Sequence, residues 1–206
     1  YFPYLNGVNV LCRLLKEELE QLGKKPYIVT FKFPEINYVT KEQEKNIVLV
    51  PGKYLPGGKK DGTMANFAYG KEAAKLRPYD FDIIHLQNEF TLAKTMVKVA
   101  RKEKKPIVYT QHTMWDDMFS KRYKKPIARV VTELSHSIYF SAPIRNYTCM
   151  TVPTMKVRNY WMKRHVKKNM AILPGCVDDS KFMFKEEDNA KISEIRAKYN
   201  LNDKEV

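Results

Sequence analysis

The sequence predicts a doubly wound α/β domain built on a parallel sheet, and three observations lead there. Residues 81–119 read as strand, helix, strand. The apolar Asp82-Ile83-Ile84-His85-Leu86 precedes a helix with Leu92, Met96, Val99 and Ala100 on one face and Lys94, Lys98, Arg101 and Lys102 on the other. A Lys105-Pro106 break then leads into Ile107-Val108-Tyr109-Thr110. This is the spacing of a parallel βαβ unit, because parallel neighbours need a crossover of a dozen or more residues. Second, 206 residues with 44% hydrophobic and 29% charged content suit one sizeable globular core. Third, no apolar run approaches the roughly 18 residues of a spanning helix. Cys12, Cys149 and Cys176 are odd in number and far apart, which supports neither a disulfide framework nor a zinc site and fits reduced thiols in a cytoplasmic protein.

Taken in order, residues 1–9 (YFPYLNGVN) are a loop rich in turn formers. A helix is expected over 10–22, apolar at Leu11, Leu14, Leu15, Leu19 and Leu22 and closed by Gly23. Strands follow at 27–31 and 46–50, then the loop PGKYLPGGKKDG. Within it Gly57-Gly58-Lys59-Lys60 lacks the spacing and the strand–loop–helix setting of a phosphate loop. A helix over 65–76 precedes the βαβ unit. After it come a helix over 125–140, a strand over 147–152, a helix over 154–165, a strand over 170–173 and a last helix over 187–199. One parallel sheet containing 28–31, 83–86, 107–110 and 171–173 is the economical architecture.

The net charge of +14 is concentrated. No acid lies between Asp117 and Glu133, where Lys121, Arg122, Lys124, Lys125 and Arg129 occur. None lies over 134–177, where Arg145, Lys156, Arg158, Lys163, Arg164, Lys167 and Lys168 accumulate. Phe119, Tyr123, Ile127, Tyr160, Trp161 and Met162 interleave these charges. Such a surface suits anionic lipid headgroups or nucleic acid, and a solvated basic exterior is the plain alternative.

In open α/β sheets ligands sit beyond the carboxyl ends of the strands. Gln87-Asn88-Glu89 and Gln111-His112-Thr113 occupy those ends here. His112 can donate to a ligand oxygen or act as a base near neutral pH. Asn6-Gly7-Val8-Asn9 opens directly into a helix, whose N-terminal N–H groups and dipole favour an anion, with Gly7 allowing close approach. Asp116-Asp117 reads as a helix start or solvated turn before a metal site. His85, His112, His136 and His165 share no metal-ligand spacing.

Together YFPYLNGVNV, FDIIHLQNEF, PIVYTQHTMWDDMF, VPTMKV and ILPGCVDDSKF, in that order, resemble the N-terminal domain of retaining glycosyltransferases of family 4, the bacterial diacylglycerol glucosyltransferases most of all. The resemblance spans almost the whole chain. It implies a GT-B enzyme with two Rossmann-like domains facing across a cleft, residues 1–206 being the acceptor-side one. The family's first strand and its C-terminal donor-binding domain then lie outside this sequence, so the fragment alone is expected to be inactive. The resemblance turns the Asn6, Gly7 and Val8 loop toward the donor phosphates and makes His112 the catalytic-site contact to the donor sugar. It makes Asn88, Glu89, Trp115, Asp116 and Asp117 an acceptor-side rim. It implies a nucleotide sugar such as UDP-glucose as donor, with no metal or other cofactor required. The reaction implied is hexose transfer with retention to a glycolipid acceptor such as diacylglycerol. Lys121, Arg122, Lys124, Lys125, Lys163 and Arg164 would face an anionic membrane, placing the enzyme peripherally at the inner face of the cell membrane. A soluble or polysaccharide acceptor is the first alternative, and a non-catalytic nucleotide- or nucleic-acid-binding module is the second. Where the family reads Pro-Asn-Gly-Val-Asp, this chain has Pro174-Gly175-Cys176-Val177-Asp178.

Overall fold

The computed structural model describes residues 6–34, 46–55, 64–114, 117, 121, 124–135, 141–166, 169–175, 177, 179, 183, 185–186 and 188–201. The chain divides into two compact units, Tyr1–Gly175 and Cys176–Val206.

In the first unit, helix α1 spans Gly7–Gln21. Asn6 caps it: its backbone is extended at φ −144°, and its Oδ1 accepts the Asn9 N–H at 2.9 Å, satisfying one of the open donors of the first turn. The cap, which apolar periodicity does not register, moves the start from residue 10 to Gly7. At the other end Gly23 takes φ +69°, a left-handed conformation open to glycine. Its N–H reaches the Glu20 carbonyl, and that of Lys24 reaches the Leu19 carbonyl at 2.9 Å, which closes the helix.

Strands β1 (Ile28–Phe31) and β2 (Ile47–Val50) pair in parallel, Ile28 opposite Ile47. The short β3 (Lys53–Tyr54) and β4 (Met64–Ala65) pair antiparallel. Because Ala65 belongs to β4, helix α2 begins later than the periodicity indicates and spans Tyr69–Leu76.

A four-stranded parallel sheet follows in the order β5 (Ile84–Leu86), β6 (Ile107–Thr110), β7 (Cys149–Val152), β8 (Met170–Ile172). The crossover between β5 and β6 is α3 (Thr91–Glu103), as the βαβ reading required. One sheet face carries Ile84, Leu86, Ile107, Tyr109, Met150 and Val152. These join Leu92, Ala93, Met96, Val97, Val99 and Ala100 of α3 in one core. The apolar stripe of α3 is therefore wider than the four residues its charge pattern marks out. Lys104 ends the helix in a left-handed conformation, φ +52°. Helix α4 spans Lys125–Ser135, α5 spans Ser141–Asn146 and α6 spans Met155–Lys163. Thr154 caps α6 by accepting the Val157 N–H. In the second unit, α7 spans Asp188–Tyr199.

The expectation of one sheet containing both 28–31 and 83–86 needs correcting. β1 pairs with β2 and β5 with β6, and β1 does not pair with β5. A cleft of about 760 Å³ opens instead, lined by Tyr27 to Phe31 on one side and Ile83 to Leu86 on the other. Among the described residues, no helix is long and apolar enough to cross a membrane.

Candidate functional site

The cleft collects the polar residues that end the strands and begin α1. Asn6, Gly7, Val8 and Asn9 line it, as do Gln87, Asn88, Glu89, His112 and Thr113. A Cβ built on Gly7 meets nothing within 4 Å, so the fold itself does not require glycine there. The apolar floor includes Leu92, Ala93 and Met96 of α3, and Cys12 of α1 lies in the wall. Burial raises the Cys12 thiol to about 11, which keeps it protonated at neutral pH.

His112 is half-buried, and its Nε2 lies 2.8 Å from Oε1 of Gln87. Burial lowers its pKa, so the ring is neutral at neutral pH. His85, on β5, hydrogen-bonds through Nε2 to Thr110 Oγ1 at 2.6 Å, and Thr110 Oγ1 lies 2.5 Å from Thr151 Oγ1. Burial, with a smaller contribution from His112, lowers the His85 pKa to about 4. By surface area His85 counts as exposed. The ring borders the open cleft while protein atoms crowd its other sides. The direction of the shift follows from that crowding.

Gln111 is buried at the end of β6 and braces the loop that carries His112. Its Nε2 donates to the Thr113 carbonyl at 2.8 Å, and its Oε1 accepts the indole N–H of Trp161 from α6. Asn88 Oδ1 accepts the Phe90 N–H at 3.2 Å, ordering the entry to α3. Glu89 is 7% exposed. Burial, then the Glu89 charge, pushes the Tyr109 hydroxyl far up.

The remaining expected residues are placed apart. Asp117 pairs with Lys156 at the start of α6 and does not line the cleft. Trp115, Asp116, Phe119, Arg122, Tyr123, His136, Lys167, Lys168, Cys176 and Asp178, and the Gly57-Gly58-Lys59-Lys60 loop, lie outside the described residues. Lys121, Lys124, Lys125 and Lys163 are exposed, whereas Arg164 stacks 4.1 Å from the Tyr160 ring and pairs with Glu133 at 3.3 Å. Trp161, expected on an apolar membrane face, is 2% exposed and belongs to the core. Its indole needs the buried Gln111 carbonyl, a partner that interleaved charge and aromatic patterning cannot reveal. The Gln87–His112 and Gln111–Trp161 pairs were likewise hidden, since both join residues from different strands and helices.

Comparison with known proteins places this geometry. The family model described as Glycosyltransferase Family 4 matches residues 5–181. The alpha-monoglucosyldiacylglycerol synthase of Streptococcus pneumoniae is 29% identical over 207 residues, covering 100% of this chain and 45% of the relative. The protein of the same name from Acholeplasma laidlawii is 26% identical over 212 residues, covering 100% of this chain and 51% of the relative. The chain thus spans about half the length of these curated relatives. Among solved structures, Anabaena HepE in complex with UDP-glucose superposes with a TM-score of 0.57 at 10% identity, over 96% of this chain and 48% of that one. At that identity the likeness speaks for the fold, a Rossmann-like parallel α/β domain of the GT-B type. With the family pattern running through both the α1 loop and the His112 strand end, the chain belongs to glycosyltransferase family 4.

Proposed function

We propose that the protein carrying this chain transfers a hexose from a nucleotide sugar such as UDP-glucose, with retention, to a diacylglycerol-type lipid at an anionic membrane surface. The observation that carries this reading is the placement of Gly7, Gln87, Asn88 and His112 on one cleft beside the start of α1. A leaving nucleotide diphosphate develops charge that must be met electrostatically. The N–H groups of Gly7 and Val8 in the first turn of α1, with the helix dipole behind them, suit that charge. His112, lining the same cleft, holds the sugar. No step is assigned to a metal, and no protein nucleophile is assigned.

The reading includes a further parallel strand between β1 and β5 and a second domain that holds most of the donor. The added strand would occupy the part of the cleft between the two strands. The carboxyl-end portion, lined by Asn6 to Asn9, Gln87 to Glu89, His112 and Thr113, would stay open for ligand.

Membrane docking draws support from α4. Ile127 is 53% exposed, Val130 67% and Leu134 58%, a spacing that sets all three on one side of the helix. Exposed Lys121, Lys124, Lys125 and Arg129 accompany this stripe, with no ion pair to them among the described residues. Basic charge beside exposed apolar area is the combination that interfacial helices use. The relatives named above as glucolipid synthases favour the lipid acceptor over a soluble one.

The test is to incubate the full-length protein with radiolabelled UDP-glucose and vesicles containing diacylglycerol. Label should move to lipid with the α-anomeric configuration retained. Transfer to a water-soluble glycan alone would move the assignment to the soluble-acceptor alternative. Nucleotide binding without any transfer would leave a binding module.

A further inference from the structure

His112 and Gln87 follow neighbouring parallel strands, β6 and β5, in which Leu86 lies opposite Tyr109. Both residues line the cleft, and Nε2 of His112 stands 2.8 Å from Oε1 of Gln87. An amide oxygen only accepts, so Nε2 must carry the proton in this contact. A neutral imidazole has one N–H, which leaves Nδ1 with a lone pair. Among the described residues Nδ1 has no hydrogen-bond partner. The loop holding the ring is fixed independently, through Gln111 to the Thr113 carbonyl and to Trp161.

We propose that Gln87 is a positioning residue that locks His112 in the Nε2-protonated tautomer, so that His112 offers the ligand an acceptor at Nδ1 and receives a hydrogen bond from a sugar hydroxyl. This rests on the reading of the cleft as a sugar-transfer site. It deepens that reading by fixing the direction of the hydrogen bond. In a histidine that titrates freely, either nitrogen can carry the proton and the direction is undetermined. Burial, which keeps His112 neutral, acts against the doubly protonated ring that would remove the acceptor. A substrate with a hydroxyl at this point is then held, and one with a pure acceptor there meets two opposed lone pairs.

The test uses 15N-labelled histidine in the intact protein, with ring spectra recorded at neutral pH. The expected spectrum assigns the proton of His112 to Nε2 and shows Nδ1 unprotonated. Gln87→Leu should mix the tautomers, and Gln87→Glu, which keeps an acceptor and adds a charge, should restore Nε2 protonation and raise the His112 pKa. Alongside, Gln87→Leu should lower kcat/KM for UDP-glucose roughly tenfold, about the value of one oriented hydrogen bond, with the thermal midpoint near wild type. A proton on Nδ1 in the wild type, or a tautomer unchanged in Gln87→Leu, overturns the proposal. So does a lost tautomer preference with kcat/KM unchanged. If the wild-type protein transfers no sugar, the sugar-site reading fails by itself, and the ring spectrum still decides whether Gln87 sets the tautomer.

Discussion

The indole N–H of Trp161 donates to the side-chain carbonyl of Gln111, and both residues are buried. Gln111 turns its amide N–H to the Thr113 carbonyl, so α6 and the His112 loop are joined through one side chain. Trp161→Phe keeps most of the apolar volume and removes the donor. Leaving a buried carbonyl without its partner should cost about 1–3 kcal/mol. Chemical denaturation should show this as a lower midpoint with an unchanged slope. A variant as stable as wild type would mean that the contact contributes nothing.

Acid should weaken the fold through His85 and His112. Unfolded, His85 titrates near 6.5, and folded it titrates near 4. Between those values the unfolded chain binds the additional proton. The contribution of His85 to stability is therefore fully present above about 6.5 and is lost as the pH drops toward 4. His112, lowered in the same direction, adds to the fall. His85→Gln should show a smaller loss of thermal midpoint across this window than wild type. Equal losses would place the titration elsewhere.

Gly7 separates ligand room from packing. Alanine there would meet no atom within 4 Å. It also favours helix, so Gly7→Ala should leave the thermal midpoint unchanged or slightly higher, by up to about 1 kcal/mol. In the full-length enzyme the same change should raise KM for the nucleotide sugar, because the methyl group occupies space beside the first-turn N–H groups. Unchanged KM would remove Gly7 from the donor site.

Much of the fold was legible because its signals are local. The Ile107–Thr110 strand, the α3 stripe and the Gly23 helix end follow from periodicity and one permissive residue. Local pattern cannot say which strands pair, and so the separation of β1 from β5 was not legible. Nor could it distinguish Trp161 in the core from a surface tryptophan, since both sit among basic residues in sequence. The candidate site was legible as positions, with Gly7, Asn88 and His112 on one cleft. Its hydrogen bonds were not, because Gln87 and His112 meet only across two strands.

The α4 stripe and the basic residues near it should separate under salt. Each basic residue near anionic headgroups is worth about 1 kcal/mol, over a Debye length of roughly 8 Å. Replacing Lys121, Arg122, Lys124 and Lys125 by Gln should weaken binding to anionic vesicles far more than to neutral ones. Replacing Ile127, Val130 and Leu134 by Ser should reduce the binding that persists at high salt. Loss of neither component would give this surface to another partner.

The most direct measurement compares wild type with His112→Ala in the full-length protein, following glucose transfer from UDP-glucose to diacylglycerol vesicles together with the thermal midpoint. A large drop in kcat is expected, with a midpoint within about 0.5 kcal/mol of wild type, as for a residue at the edge of a cleft. Wild-type turnover in His112→Ala, or activity that only tracks the folded fraction, would contradict it.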